Sequence, residues 1–397
     1  MSQADEQFRE AGSAWSVFLL FLRMGLTSFG GPVAHLGFFH DEFVQRRRWL
    51  TEQAYAELVA LNQLLPGPAS SQVGLALGYL RGGYAGAMAA WLGFTLPSAV
   101  IMALFASGLA LWPEASAGGW VVGLKLFVVA VVAQAVWQMG TKLCPDGSRR
   151  AVALVVAALL LVAGSLWMQA LALVLAGVAG AQLKLGSDTS DQRTADLDLP
   201  LKTRKPMIFF GVFLGLLALT IGPWSDGSMS SLAAELYRAG ALVFGGGHVV
   251  LPWLEEGFVA SGSMPADTFL AGYGAAQAMP GPLFSFSAFL GGVQNGWMGS
   301  AVAVVAVFLP GTLLVFAGLP LWHYVRRHEQ ARNALAGVNA GVVGLLLSAL
   351  YDPVWTSAIT SSASVGFVLL VWMALTIWKV PVWLLAILSG LFGLLVF

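Results

Sequence analysis

Charged residues are scarce in this sequence, and their scarcity limits the kinds of protein that it can encode. Only 10% of the 397 residues are Asp, Glu, Lys or Arg, whereas soluble domains average about a quarter. Hydrophobic residues make up 58%, and apolar runs of membrane-spanning length recur along the whole chain. These runs do not alternate polar and apolar residues, as the strands of a membrane barrel would. The sequence therefore predicts an all-α polytopic membrane protein.

Several chemical signatures are also absent. The single cysteine, Cys144, excludes an intramolecular disulfide and speaks against a cysteine-ligated metal site. There is no GxxxxGK[ST] phosphate loop, no HExxH zinc motif and no serine in a GxSG turn. The N-terminal "MSQADEQFRE" lacks the basic start and the cleavage site of a signal peptide. We therefore expect no enzyme activity, no cofactor, no bound metal and no nucleic-acid partner.

The two halves of the chain are copies of one another. Shifting the sequence by about 214 residues aligns them. The clearest matches place Gln63, Pro66, Gly67 and Pro68 on Gln277, Pro280, Gly281 and Pro282, and Arg23 with "FGG" on Arg238 with "FGG". We predict an N-terminal repeat at 1–184, a cytoplasmic polar linker at 185–206, an extra transmembrane segment at 207–229 and a C-terminal repeat at 230–397.

Basic residues predict that the repeats are inverted in the membrane, because lysine and arginine mark cytoplasmic loops. Loop 40–53 contains three consecutive arginines, while its counterpart 255–267 contains none. Loop 110–119 contains none, while its counterpart 324–334 contains three. In this topology the FGG and PGP segments are re-entrant, and the extra segment supplies the crossing that inverts the second half. A conventional arrangement with about 12 or 13 full spans is the alternative.

Both PGP turns break a helix inside an apolar stretch. Broken helices occur in membranes only where they are buried in protein or line a wet cavity. Together with inverted repeats, they are typical of secondary transporters with a site near the midplane. The helix after each break directs N–H groups and a positive end toward it, which suits an anion. The expected binding residues are Asn62, Gln63, Pro66, Gly67, Pro68, Ser70, Ser71 and Gln72 in the first repeat, and Gln277, Pro280, Gly281, Pro282 and Ser285 in the second.

Two arginines at matched positions, Arg23 and Arg238, add candidates for the same site. An arginine at bilayer depth costs about 2.5–3.5 kcal/mol on insertion scales, which a bound anion would offset. Snorkelling to the interface is the alternative. The nearby turns add Gly30, Gly31 and His35 in the first repeat and Gly245, Gly246 and His248 in the second. The glycines allow close backbone approach, and the histidines are either structural residues or proton carriers.

The motifs resemble those of the chromate ion transporter family. The runs "FGGPVAHLGFFHDEFVQRRRWL" and "LLPGPASSQVGLALGYLRGGYAGAMAAWLGFTLP" are similar to the first half of that family, and "FGGGHVVLPWLEEGFV", "QAMPGPLFSFSAFLGG" and "FLPG" to the second. The resemblance covers nearly the whole chain and matches the two-repeat form of the family. One difference is internal, because Gly247 stands where the first repeat has Pro32.

The resemblance implies a multi-pass protein of the bacterial inner membrane that exports chromate from the cytoplasm and confers chromate resistance. Sulfate, a tetrahedral dianion of similar shape, is the expected competitor. We expect the oxyanion to bind between the two PGP segments and access to alternate as one repeat rocks against the other. A carrier or channel for sulfate or another inorganic anion is the alternative. A coupling proton and a homodimer are compatible with the sequence, which decides neither.

Overall fold

The computed structural model describes residues 13–111, 118–163, 166–186, 206–222, 224–225, 227–243 and 249–396, with side chains at all of these except 32, 33, 64, 166, 167 and 319–327. All regular structure in this part is helical, which confirms the predicted class. The helices are α1 (Ala14–Thr27), α2 (Gly31–His40), α3 (Glu52–Leu64), α4 (Ala69–Leu111), α5 (Gly119–Leu143), α6 (Gly147–Val162), α7 (Leu166–Gln182), α8 (Pro206–Leu219), α9 (Met229–Leu242), α10 (Val250–Glu255), α11 (Ala266–Ala278), α12 (Phe286–Arg327), α13 (Glu329–Ala349), α14 (Ser362–Thr376) and α15 (Val382–Val396).

Among the described residues, four helical stretches are long and apolar enough to cross a membrane, and three of them are interrupted by non-helical residues, the last of them at Asp352. These stretches are 69–111, 119–143, 283–318 and 329–358. α4 turns sharply at Gly82 and Gly83, and α12 does so at Asn295 and Gly296. The arm of α4 before its bend, 69–81, is about 20 Å long at 1.5 Å per residue. That arm is shorter than the roughly 30 Å hydrocarbon core, so it cannot span the membrane unaided.

The chain divides into two compact units, and each draws on both predicted repeats. The first unit consists of 1–104, 192–247 and 279–323. The second consists of 105–191, 248–278 and 324–397. The repeat boundaries inferred from the sequence and the inverted topology stay predictions, since a compact unit is defined by packing and not by duplication.

Glycines let helices of the first unit touch closely. A Cβ on Gly25 of α1 would lie 2.7 Å from the Phe94 carbonyl oxygen of α4. A Cβ on Gly240, the matched residue of α9, would collide with the Val307 carbonyl of α12. Small residues allow such backbone approach between helices in a membrane. The α1–α4 contact of the first repeat therefore has its counterpart in the α9–α12 contact of the second.

The second unit contains a pair of contacts between the repeats. A Cβ on Gly123 of α5 would strike the backbone of Ser389 and Gly393 on α15. A Cβ on Gly337 of α13 would strike the backbone of α7 beside Gly180. Gly123 matches Gly337 in the duplication, and Gly180 matches Gly393. Each repeat thus provides one helix for the other to pack against, and small residues at the contact make close packing possible.

Lys125, in an apolar stretch of α5, is paired in the second unit. Its Nζ lies 2.6 Å from Oδ1 of Asp267 at the start of α11, and its side chain is 11% exposed. The ion pair offsets the cost of placing a lysine in an apolar stretch. The matched residue in the second repeat is the neutral Asn339.

Candidate functional site

The two PGP turns lie in the first unit and are held by matching hydrogen bonds. We call residues 66–68 the first break and residues 280–282 the second break. Gly67 donates its N–H to the Val243 carbonyl at 2.7 Å, and Gly281 donates its N–H to the Ser28 carbonyl at 2.9 Å. Ser28 and Val243 each directly precede an FGG sequence. Each repeat therefore binds the break of the other through the same backbone atoms.

Both glycines of the breaks need left-handed backbone, with φ of 122° at Gly67 and 95° at Gly281. They also face tight neighbours. A Cβ at Gly67 would lie 3.0 Å from Cα of Gly311, and one at Gly281 would lie 2.8 Å from Oγ of Ser98. Ser98 and Gly311 each follow a proline that the duplication matches, Pro97 and Pro310. The first break therefore packs against α12 and the second against α4 in the same way. Only glycine combines a left-handed backbone with room for so close a neighbour.

The first break leaves backbone groups of two helices free. Pro66 and Pro68 have no N–H, and the N–H of Gly67 is used by Val243. The carbonyls of residues 62–64 at the end of α3 therefore accept no hydrogen bond within the described part of the chain. At the start of α4, the N–H groups of Ala69, Ser70 and Ser71 donate none to any described residue, and the first bonded N–H is that of Gln72, to Pro68.

Three buried polar side chains near this break each keep one atom without a hydrogen-bond partner among the described residues. Ser71 is 5% exposed, and its hydroxyl has no hydrogen-bond partner among the described residues. Gln72 is 2% exposed, and its Nε2 donates to the Pro66 carbonyl at 2.7 Å and to the Gly311 carbonyl at 3.4 Å. Its Oε1 accepts nothing there. Asn62 likewise donates to the Leu58 carbonyl at 2.7 Å and leaves Oδ1 unpaired. Both amides therefore donate to the backbone, and the oxygen atoms that they leave unpaired are acceptors, which do not bind a fully deprotonated anion directly.

The second break has fewer free donors. Ser285 donates both its N–H, at 3.0 Å, and its hydroxyl, at 2.7 Å, to the Pro282 carbonyl. The residues that match Ser70 and Gln72 are Phe284 and Phe286, both buried. Ser287, one position farther along, keeps a buried hydroxyl without a partner among the described residues. The second break is therefore mainly apolar.

His35 joins three parts of the site. It is fully buried, and its Nε2 lies 3.2 Å from the Ser28 carbonyl that also receives the N–H of Gly281. Its Nδ1 lies 3.5 Å from Oγ of Ser70. Since a carbonyl only accepts, the Nε2 atom carries the proton and Nδ1 accepts from Ser70. The imidazole thereby connects the FGG turn of the first repeat to the start of α4.

The matched arginines and glutamines differ between the repeats. Arg23 is exposed and has no ion pair among the described residues, whereas Arg238 lies 2.9 Å from Oε1 of Glu235. Gln63 is half-buried in the first unit, and Gln277 is buried in the second unit, where it is hydrogen-bonded to Tyr273. Gly30 and Gly31 form the left-handed turn before α2, with φ of 101° and 76°. Gly245, Gly246 and His248 lie outside the described residues.

Sequence reasoning missed the partners that hold the breaks. These are the carbonyls of Ser28 and Val243 and the close neighbours Ser98 and Gly311. A backbone carbonyl leaves no signal in the sequence. The matched prolines that precede Ser98 and Gly311 are a signal that could have identified these two neighbours. Within the described ranges, no three or more His, Cys, Asp or Glu side chains come together as metal ligands would.

Comparison with known proteins gives one consistent result. The family model described as Chromate transporter matches residues 15–181 and again 230–394. A chromate transport protein of Pseudomonas aeruginosa is 29% identical over 85% of this chain and 80% of its own length. One from Cupriavidus metallidurans is 28% identical over 84% and 80%, and an uncharacterized transporter of Methanocaldococcus jannaschii is 26% identical over 86% and 84%. No solved structure matches the chain.

Proposed function

We propose, because the chain belongs to the chromate transporter family, that it is a secondary transporter that exports chromate across the inner membrane of a bacterium. Its long apolar helices make it a multi-pass membrane protein. Relatives whose names state chromate transport match more than four-fifths of its length. Export would give the cell resistance to chromate, and sulfate would compete for the same site because of its shape.

The first break is the observation that carries this proposal. It presents three unpaired N–H groups and the unpaired hydroxyl of Ser71 in a buried position at the N-terminus of α4. The helix dipole adds a positive partial charge at that end. Hydrogen bonds to a charged group contribute about 1.5–3 kcal/mol each. A desolvated oxyanion can therefore be held without a lysine or arginine in contact with it.

The energetics of the membrane potential supports export as the direction of transport. A membrane potential of 100 mV is worth about 2.3 kcal/mol per elementary charge. An oxyanion that leaves a negative interior gains this amount for each of its charges, so a dianion gains roughly three decades of concentration ratio and a singly charged oxyanion about half as many. Export therefore needs no ATPase, and proton exchange is compatible with it. Import would need a coupled cation.

Alternating access completes the proposal. The hydrogen bonds of Gly67 and Gly281 connect the repeats at both breaks. Rocking of inverted repeats about such a centre would expose the first break to one side of the membrane at a time. Arg23, which has no ion pair among the described residues, would supply countercharge at one mouth of the pathway.

Uptake of radiolabelled chromate into inverted vesicles that contain the purified chain tests the function. With an imposed potential, we expect saturable uptake that depends on the potential and is inhibited by excess sulfate. Vesicles that contain the Ser71→Ala protein, checked for folding, should take up chromate with a higher KM. Absence of uptake in either polarity by folded wild-type protein would refute chromate transport.

A further inference from the structure

We propose that the first break selects an oxyanion that carries a proton, hydrogen chromate in this case, and that the side-chain oxygen of Gln72 is the group that recognises the proton. This inference rests on the proposed function and adds to it the chemical form of the substrate. It also assigns to Gln72 a role in specificity as an acceptor, since its donors are already used.

The orientation of the Gln72 amide follows from its contacts. Nε2 donates to the carbonyls of Pro66 and Gly311. The reverse orientation would place Oε1 against two carbonyl oxygens, which only accept hydrogen bonds. The buried Oε1 atom is therefore a true acceptor without a donor among the described residues. Leaving such a group unpaired costs about 1–3 kcal/mol, so a ligand that donates to it gains affinity.

The amide lies in the break itself. A Cβ on Gly67 would be 2.8 Å from Nε2 of Gln72 and 3.2 Å from its Cδ. Oε1 is bonded to that Cδ and therefore lies next to the break, which α4 follows with the free N–H groups of Ala69, Ser70 and Ser71. The break therefore combines a row of donors with the Oε1 acceptor of Gln72, and Oδ1 of Asn62 and the free carbonyls of residues 62–64 are further acceptors near it.

This combination distinguishes oxyanions by their protons. A fully deprotonated oxyanion offers only acceptors, so one of its oxygens would meet the unpaired Oε1 without a hydrogen. A protonated oxyanion gives an O–H to Oε1 and accepts from the N–H groups with its other oxygens. Chromate holds a proton near neutral pH, whereas sulfate, the base of a strong acid, does not. Specificity of this kind is strong because a wrong ligand leaves buried polar groups unpaired.

Titratable protein groups around the break need their own control. On the helices that flank it these groups are Arg23 on α1, His35 and His40 on α2, Glu52, Tyr55 and Glu57 on α3, and Tyr79, Arg81 and Tyr84 on α4. On α9, which ends at the carbonyl partner of Gly67, they are Glu235, Tyr237 and Arg238. α12 has none between Phe286 and Gly318. The inhibition constant of sulfate is the control for all of these groups. Sulfate does not change its protonation state in the pH range used, so a change in this constant would come from the protein.

The test is the pH dependence of chromate uptake by vesicles that contain the full chain, at fixed potential. We expect the KM for total chromate to rise by up to about tenfold per pH unit once hydrogen chromate loses its proton. The inhibition constant of sulfate should stay constant over the same range and exceed the KM for chromate on the acidic side. A KM for total chromate that does not change with pH would overturn the proposal, although chromate transport itself would stand. No uptake at any pH would instead contradict the proposed function.

Gln72→Lys sharpens the test, because lysine still donates to the carbonyls of Pro66 and Gly311 but offers no acceptor. We expect the KM of this variant for total chromate to be independent of pH. We also expect the inhibition constant of sulfate to equal the KM for chromate. Gln45→Lys is the control for charge, since it adds the same charge at an exposed residue outside the break and leaves Gln72 in place. It should keep the wild-type pH dependence. A Gln72→Lys protein that keeps the wild-type slope would overturn the proposal, and if this variant does not fold, the wild-type profile decides.

Discussion

The two breaks share a backbone and differ in chemistry. Gly67 and Gly281 have the same left-handed conformation, bind equivalent carbonyls of the opposite repeat and press on equivalent positions of α12 and α4. The side chains that follow them are Ser70, Ser71 and Gln72 in one repeat but Phe284, Ser285 and Phe286 in the other. Duplication has thus kept the scaffold at both breaks, while polar recognition is concentrated at the first.

The two matched serines show how this difference arises. The Pro68 carbonyl accepts the N–H of Gln72, four residues on, as in a regular α-helix. The Pro282 carbonyl accepts the N–H of Ser285, three residues on, in a 3₁₀ turn. The tighter turn consumes the donors of Ser285, whereas those of Ser71 stay free. A substrate that meets both breaks therefore finds free backbone N–H groups at each, but among the two matched serines it finds a free hydroxyl only at the first break.

The largest effect is expected from alanine at the glycines of the breaks. Residues forced into unfavourable backbone regions cost about 1–3 kcal/mol. At Gly67 the new Cβ also lies 3.0 Å from the backbone of Gly311, whereas at Gly281 its closest neighbour is the Ser98 side chain and the nearest backbone atom, the Phe94 carbonyl oxygen, is 3.2 Å away. Gly67→Ala should therefore lower thermal stability more than Gly281→Ala, and Ser98→Gly should restore part of the loss only for Gly281→Ala. Equal losses with no restoration would show that the two breaks are packed alike.

Alanine at the two matched serines, Ser71 and Ser285, should change the KM for chromate to different extents. Removal of a hydrogen bond to a charged group costs about 1.5–3 kcal/mol, or roughly ten- to a hundredfold in affinity. Ser71→Ala should raise the KM for chromate by such a factor, and Ser285→Ala should change it less than about twofold, because the Ser285 hydroxyl is already bonded to Pro282. Thermal unfolding of both variants provides the control for folding. A larger change in KM for Ser285→Ala would place the oxyanion at the second break.

Alanine at the two matched arginines should have opposite effects, on stability at Arg238 and on chromate binding at Arg23. Arg238 is paired with Glu235, so Arg238→Ala should lower stability by about 0.5–1 kcal/mol. Arg23 has no ion pair among the described residues, so Arg23→Ala should leave the melting temperature unchanged and raise the KM for chromate if it supplies countercharge. Arg23→Lys, which keeps the charge, should restore most of the affinity. An unchanged KM in Arg23→Ala would remove that arginine from the site.

The smallest effect concerns the matched residues His40 and Glu255. A hydrogen bond to Glu52 raises the pKa of His40. Burial raises the pKa of Glu255 to about 7, with further contributions from Glu256 and Asp352. A group with a raised pKa in the folded state stabilises the protein below its unfolded pKa and loses that contribution as pH rises through the folded value. Thermal stability should therefore fall as pH rises through about 7.

Variants at His40 and Glu255 show which of the two residues causes the pH dependence of thermal stability. Glu255→Gln should flatten most of the decline in stability, and His40→Asn should flatten a smaller part because His40 is more exposed to solvent. Melting temperatures of the purified protein from about pH 5 to pH 8 provide the measurement. A wild-type melting temperature that rises across pH 7 would contradict the sign of the effect.

Much of the fold and part of the site could be predicted from particular residues. The apolar runs predicted a helical membrane protein, and the two PGP sequences marked the helix ends at Leu64 and Ala278. The roles of the amides were harder to predict, because Asn62 and Gln72 could each donate to a ligand or to the backbone. The structure has both donating to the backbone. The inverted topology stays a prediction, since it depends on the membrane itself.

The sequence by itself determined the helical class, the duplication and the position of the breaks, because these follow from local rules. Apolar composition favours membrane helices, and proline removes an N–H wherever it stands. Only the tertiary structure decided which donors stay free and which break carries them. Ser71 and Ser285 occupy the same place in the same motif, and the difference lies in which carbonyl each can reach once the chain has folded. Such contacts depend on distances between atoms, which the order of residues does not record.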